Sequence, residues 1–280
     1  MTTISSNIKS IFITGAASGI GRATAQLFAA RGWTCGLADA NQAGLAETAA
    51  LLPAGKAVVL PMDVCDRTQF ASALEAFAAR HNGGIDVVFN NAGIAQGGPF
   101  TQIPLSAHDR LIDINFKGVV NGAYLAMPYL QKTGGCLLNT GSASGIYGAS
   151  GLAIYAATKF AVRGLTESLD IEFAPVGVRV RSLMPSFIDT PLLDGSVANT
   201  NRSIRETVQR ARLEFTPLEQ VAEAAWSAVH GNKVHVLVGK TAHRLAFWAR
   251  FAPGTLAKTF KKRAAATQSR QSPTGQATAP

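Results

Sequence analysis

Short apolar runs alternate with longer helical patterns through most of this chain, and that rhythm is the strongest constraint on its fold. The runs are Ile8 to Ile13, Trp33 to Ala38, Ala57 to Leu60, Ile85 to Phe89, Cys136 to Asn139, Val178 to Leu183 and Val234 to Val238. Helical patterns fill Gly19 to Ala30, Ala43 to Leu52, Thr68 to Arg80, about Ala107 to Leu130, and a stretch from just before Tyr155 to Phe173. Strands apolar on both faces, joined through helices, predict a parallel sheet covered on both sides. The expected architecture is α/β: one doubly wound parallel sheet of about seven strands. With 280 residues, 47% of them apolar, a single large domain over residues 1–240 is the simplest reading.

Charge separates that body from the C-terminal stretch. All 17 acids precede residue 240, where they face 18 of the 26 Lys and Arg. The remaining cations, Lys240, Arg244, Arg250, Lys258, Lys261, Lys262, Arg263 and Arg270, occupy a stretch without any acid. The body is nearly neutral and the tail is a basic appendage, so an argument from charge concerns the tail alone. Leu245, Phe247, Trp248 and Phe251 with Arg244 and Arg250 predict a basic amphipathic extension over 241–263, broken at Pro253-Gly254. The small polar residues of 264–280 predict a disordered end. Three readings of the extension stand open: packing on a neighbouring subunit, which is preferred; contact with an anionic membrane surface; or a loose solubilising end. One short basic stretch without a recognition fold does not indicate nucleic-acid binding.

Other features bound the class further. No apolar run reaches the roughly 18 residues of a spanning helix, and the N-terminus lacks the pattern of a secretory signal. Cys35, Cys65 and Cys136 are widely spaced and odd in number, which reads as reduced, core-facing thiols in a cytoplasmic protein. The histidines at 81, 108, 230, 235 and 243 are scattered without a carboxylate cluster, so no metal site is expected. Thr216-Pro217-Leu218-Glu219 reads as a capping box opening a helix that runs to Gly231. Residues 186–215 form a long, less regular segment, either a substrate lid or a solvated helix pair.

Thr14-Gly15-Ala-Ala-Ser18-Gly19-Ile20-Gly21 follows the first strand and opens the first helix. Glycines there let the backbone approach a pyrophosphate whose charge rests at the helix N-terminus. Asp39 ends the second strand, 18 residues after Gly21, where a carboxylate can accept the ribose hydroxyls of an adenosine. Tyr155 and Lys159 stand one helical turn apart on the same face. A cation beside a phenol favours the phenolate, so the pair is a candidate acid/base device. Alone, such a pair on a helix is mostly surface decoration.

Together these motifs resemble the short-chain dehydrogenase/reductase family, in its Tyr-x-x-x-Lys, NAD-preferring branch, over about residues 8–239. The matching elements are TGAASGIG at 14–21, Asp63-Val64, Asn90-Asn91-Ala92-Gly93, Asn115, Ser142 and Tyr155-Ala-Ala-Thr-Lys159. The resemblance implies a Rossmann-like fold and a nicotinamide cofactor cradled by Gly15, Ser18, Gly19, Ile20 and Gly21. Asp63 and Val64 would hold the adenine, and Asn91, Ala92 and Gly93 would line the floor. Pro185, Ile188 and Thr190 would meet the nicotinamide end. Asn115, Ser142, Tyr155 and Lys159 would form the catalytic group: Tyr155 the acid/base, Lys159 its tuner and ribose holder, Ser142 orienting the substrate oxygen, Asn115 arranging a relay water. The family also implies a homodimer or homotetramer.

Asp39, with Ala40 after it and Ser18 in the glycine loop, points to NAD over NADP, because a carboxylate repels a 2′-phosphate. Ile94, Gln96, Ser144, Ile146, Tyr147, Phe187, Leu192 and Leu193 are expected to wall a largely apolar substrate space, suited to a secondary alcohol or ketone. Where the family usually carries Pro-Gly after the sixth strand, this chain has Pro185-Ser186, which narrows the backbone options there. The competing reading is a protein that binds NAD as a sensor or scaffold without turnover. It has no need of the phenol.

Overall fold

The computed structural model describes residues 9–194, 198, 203–210 and 213–269. Seven strands form one all-parallel sheet in the order β3-β2-β1-β4-β5-β6-β7: β1 Ser10–Thr14, β2 Thr34–Asp39, β3 Ala57–Pro61, β4 Val87–Asn90, β5 Cys136–Thr140, β6 Arg179–Pro185 and β7 His235–Val238. Ile8, expected to begin the first strand, lies outside the described residues. The helices are α1 Gly19–Ala30, α2 Gln42–Ala50, α3 Arg67–Ala78, α4 Leu105–Ile112, α5 Gly118–Thr133, α6 Ala153–Phe173, α7 Ile204–Arg210, α8 Leu218–His230, α9 Lys240–Phe251 and α10 Pro253–Ser269.

Strand alternation divides the core into two layers. Ile11 and Ile13 of β1 and Val87 and Phe89 of β4 point to the α1–α8 side, packing with Phe28, Trp33 and Val221. Phe12 and Val88 point the other way, to Phe70, Phe77, Leu130 and their neighbours on α3 and α5. Phe12 lies 6.0 Å from Phe70 and 5.9 Å from Phe77, ring centre to ring centre. Both layers are filled because every residue of β1, β4 and β5 is buried. The chain builds outward from β1 to β3, then returns beside β1 with β4 and builds the other way. The carboxyl ends of β1 and β4 therefore part at a crevice, where ligands of open parallel sheets bind.

Three local expectations are corrected. The helix expected over 107–130 is two helices joined by a π turn at Asp113–Lys117, closed by the Gly118 N–H donating to the Asp113 carbonyl. Thr216 does not cap α8: the helix starts at Leu218 with Pro217 before it and no side-chain cap. Its backbone is drawn off instead, since its N–H donates to the Phe187 carbonyl at 2.8 Å and it bridges with Ile188. The expected break at Pro253-Gly254 falls at Ala252, with Pro253 opening α10, a position where a missing N–H costs nothing. Helix then extends to Ser269, into the stretch expected to be disordered, and 270–280 lie outside the described residues.

Of the thiols, Cys35 and Cys136 are buried as expected, but Cys65 is exposed. No helix among the described residues is long and apolar enough to cross a membrane. The packing of β1 on α3 sets a measurable cost: Phe77→Ala is expected to lose about 3–5 kcal/mol, read as a lowered urea midpoint with the slope unchanged.

Candidate active site

The crevice opens from the turn after β1. Gly15 has φ +68°, and a Cβ on it would lie 2.8 Å from Ala92 Cα, so only glycine lets the turn lie flat on the segment after β4. A Cβ on Gly21 would press into the Gly15 carbonyl oxygen. Ser18 precedes α1 without capping it, which leaves first-turn N–H groups free of an intrahelical acceptor. Asp39, at the tip of β2, accepts from Ala17 N at 3.2 Å and from Asn41 N at 2.9 Å. Both carboxylate oxygens are thereby fixed beside the turn. Arg22 is committed elsewhere: it donates to Thr48 Oγ1 at 2.9 Å and pairs with Glu47 at 2.8 Å.

Past β3, Asp63 accepts from Cys65 N at 2.9 Å, and Val64 packs where a Cβ on Gly118 would meet its side chain. Asn91 joins three strand ends. Its Nδ2 donates to the Thr14 carbonyl at 3.0 Å, and its Oδ1 accepts from Thr140 Oγ1 at 3.0 Å. Asn115 is fully buried in the π turn. Its Oδ1 accepts from Ile94 N at 2.8 Å and its Nδ2 donates to the Ile94 carbonyl at 2.9 Å. Asn115 thus clamps the backbone after β4. Both polar atoms of its side chain are spent on that clamp.

Ser142 follows β5, where its hydroxyl accepts from Ser144 N at 3.1 Å. Tyr155 and Lys159 come from the first turns of α6. Lys159 is 4% exposed, donates to the Thr140 carbonyl at 2.8 Å, and lies 5.7 Å from the Tyr155 ring centre. Burial brings its pKa down to about 8. Burial also pushes the Tyr155 phenol above its ordinary value, and a hydrogen bond with Ser142 opposes this. Desolvation is the larger of these two effects on the phenol.

One cavity of about 600 Å³ runs from Ser18 and Asp39 to Ser142 and Tyr155. It takes in nearly all the expected cofactor residues: Gly15, Gly19 and Ile20, then Asp63, Val64 and Asn91 to Gly93, then Lys159, Pro185, Ile188 and Thr190. Gly21 stands behind the wall. Of the expected substrate residues, Ile94, Ser144, Phe187, Leu192 and Leu193 line the cavity. Gln96 falls instead in a small adjoining crevice with Phe100 and His108, and Ile146 is absent from both. The Tyr147 ring instead meets Phe260 of α10, the ring centres 5.3 Å apart and the planes tilted by 55°.

Sequence reasoning missed Thr140, the acceptor for Lys159, although it stands directly before Gly141-Ser142. It also missed Arg110, which lines the cavity one turn before Ile114. Above the apolar end, Ile204 and Val208 of α7 pack with Leu193 and Phe187. Arg205 ties that helix to Asp194 at 2.8 Å and to the Thr190 carbonyl at 2.9 Å. Ser186 sits without strain, because the one described non-glycine residue with positive φ is Asn82.

A family model described as short chain dehydrogenase matches residues 9–201. The chain belongs to the short-chain dehydrogenase/reductase family. As a member of that family it is an oxidoreductase. It is 33% identical over 240 residues to meso-2,3-butanediol dehydrogenase of Serratia marcescens, covering 84% of this chain and 95% of that one. A short-chain dehydrogenase/reductase from Burkholderia phymatum, solved in complex with NAD, superposes with TM-score 0.75 at 27% identity, covering 98% of this chain and 99% of the other. A 3-ketoacyl-(acyl-carrier-protein) reductase from Brucella melitensis, solved with NADH, gives TM-score 0.75 at 27% identity over 84% of this chain and 98% of its own.

The buried lysine of this family member yields a test that needs no substrate. Its pKa falls from 10.5 unfolded to about 8 folded, so the unfolded state binds more protons between those values and stability rises with pH across that window. Below about pH 8 the full penalty remains, about 3 kcal/mol at 1.36 kcal/mol per pH unit. The stability of Lys159→Met relative to wild type is expected to be highest at pH 7 and to fall toward pH 10.5, followed by urea denaturation at each pH.

Proposed function

We propose that the chain is an NAD(H)-dependent oxidoreductase interconverting a secondary alcohol and a ketone on a largely apolar substrate. The observation that carries this reading is the convergence of Tyr155, Ser142 and Lys159 at one end of a cavity whose other end is a glycine turn beside Asp39. The residues present fit a dinucleotide. A Cβ at Gly15 would strike the Ala92 backbone and one at Gly21 the Gly15 carbonyl, so glycine keeps the turn tight. The first-turn amides of α1 suit a pyrophosphate, and Asp39 is pinned where ribose hydroxyls would lie. An ammonium carries three donors, and among the described residues only Thr140 accepts one from Lys159, leaving two for the nicotinamide ribose.

Bound nicotinamide supplies the acceptor or donor of hydride at the carbinol carbon. The chain's own residues manage the proton. In reduction, Tyr155 gives its phenolic proton to the carbonyl oxygen as the C–H bond forms; in oxidation, the phenolate takes the hydroxyl proton back. Ser142 holds that oxygen by a hydrogen bond. Asn115, through its clamp on Ile94, positions the wall opposite. Burial raises the phenol further above its ordinary value, so at neutral pH Tyr155 carries the proton that reduction uses. Ile94, Phe187, Leu192 and Leu193 favour an apolar body around the reacting carbon. The small diol named for the Serratia marcescens relative is compatible with that class.

Asp39, with Arg22 engaged on α2, supports NAD(H) over NADP(H). Exposed apolar residues on α5 and α6, Tyr124, Phe160 and Ile171, support a homo-oligomer through that face. A non-catalytic NAD sensor is disfavoured by the phenol, serine and buried ammonium at one point, for which binding alone has no use.

A panel of ketones and alcohols followed by NADH absorbance tests the reading. Tyr155→Phe is expected to lose about 10²–10⁴-fold in turnover while still binding NADH; unchanged turnover would sink the assignment. Ketone reduction is expected to hold through neutral pH and decline on the alkaline side, with alcohol oxidation rising there, as a raised phenol pKa requires. The kcat/KM ratio is expected to favour NADH over NADPH, and Asp39→Ala to erode that preference by about tenfold or more.

A further inference from the structure

The helix α9 carries apolar residues on two opposite sides. Ala242, Leu245, Ala246 and Ala249 recur at helical spacing and are buried or half-buried against the body. Arg244, Phe247, Trp248 and Phe251 recur at the same spacing on the other side, and all four are exposed. Phe247, Trp248 and Phe251 are 54%, 44% and 66% exposed, with ring centres 5.6 Å and 5.0 Å apart. Three clustered aromatics in water are an unusual way to end a helix that has already satisfied its inward face. Cations frame them. Arg244 and Arg250 are exposed on α9 itself, Arg250 lying 5.8 Å from the Phe251 ring. Lys258, Lys261 and Lys262 are exposed on α10, and no acid occurs anywhere after Glu223.

The pair of helices is held on the body, so this patch has a fixed place. Ala242 is fully buried and Leu256 nearly so. The Phe260 ring packs at a tilt on Tyr147, a few residues beyond the Ser142–Ser144 wall of the cavity. Of the cations from residue 240 onward, Lys240 is paired with Glu214 at 3.4 Å.

We propose that α9 and α10 form a docking surface for an anionic phospholipid bilayer, on which the protein lies with Phe247, Trp248 and Phe251 entering the headgroup boundary. The residue types match such a partner: aromatic rings settle at a bilayer interface, and Lys and Arg on the same element are drawn to anionic headgroups. No helix among the described residues spans a bilayer, so the attachment is peripheral. A second copy of this chain fits less well. A self-complementary contact would set one cationic patch against another without an acid from residue 224 onward to neutralise either. The near-neutral body supplies no acidic counterpart by net charge.

The full-length protein tests this by co-sedimentation with vesicles of phosphatidylcholine, alone or containing one third phosphatidylglycerol. Binding is expected only with the anionic vesicles, and weakens at high salt. Trp248 emission is expected to shift to the blue on binding, since Trp33 and Trp226 already lie in the aromatic cluster around Phe28; Trp248→Phe removes the shift. The triple variant Phe247→Ser, Trp248→Ser, Phe251→Ser is expected to lose about tenfold or more of the binding while keeping its circular dichroism and NADH affinity. Exchange of Arg244, Arg250, Lys258, Lys261 and Lys262 for Gln gives an independent variant with the same expected loss. Absence of vesicle binding, equal binding to neutral vesicles, or binding indifferent to both variants overturns the proposal. So does a wild type that ignores vesicles but changes its oligomeric mass when the aromatics are replaced, which would make the patch a subunit interface.

Discussion

A single chain of hydrogen bonds runs from the turn after β1 to the buried lysine of α6, and the geometry of the cleft depends on it. Asn91 Nδ2 holds the Thr14 and Gly15 carbonyls, Asn91 Oδ1 receives Thr140 Oγ1, and the Thr140 carbonyl receives Lys159 Nζ. Parallel strands expose their last carbonyls and amides where the sheet opens, and buried backbone groups must be paired. Here side chains do that pairing. The consequence is mechanical: the glycine turn cannot move relative to Lys159 without breaking one of these bonds, each worth about 1 kcal/mol net.

A second clamp fixes the opposite wall. Asn115 can bond both polar groups of Ile94 because the π turn inserts an extra residue between α4 and α5 and rotates its amide off the helix surface. Without that turn, a buried asparagine in a helix would compete with its own backbone. The π turn is thus the local cost of holding the loop after β4, and such insertions cluster where function is built. Asn90 shows the same arrangement deeper in. It bonds Asn139, which bonds Thr166, and Gly122 is glycine because any side chain would enter Asn90.

The sequence made legible what depends on local chemistry. Glycine spacing after a strand, Asp39 at a strand end, and Tyr155 and Lys159 one turn apart each follow from backbone geometry, and all lie on one cavity. The strand order needed only the alternation and the rule that parallel connections cross over. What escaped was set by contacts distant in the chain. Thr216 had the spacing of a cap, yet Phe187 and Ile188 claimed its backbone. Tyr147 had the neighbourhood of a substrate residue, yet its ring meets Phe260, more than a hundred positions later. Lys159 is buried and its pKa brought down by that burial, and burial is not a property of a four-residue spacing.

The two ends of the cavity follow different physics, and this divides its tasks. At the Asp39 end, orientation comes from backbone amides and a fixed carboxylate, which reward a polar ligand of one shape. At the other end, Phe187, Leu192 and Leu193 offer area without direction, under a short helix that Arg205 ties down by bonds to Asp194 and Thr190. Apolar contacts discriminate weakly between ligands of similar size. On the proposed reading, selection then comes from the few polar groups at that end, Tyr155 and Ser142, and the cover over them sets how large a molecule fits.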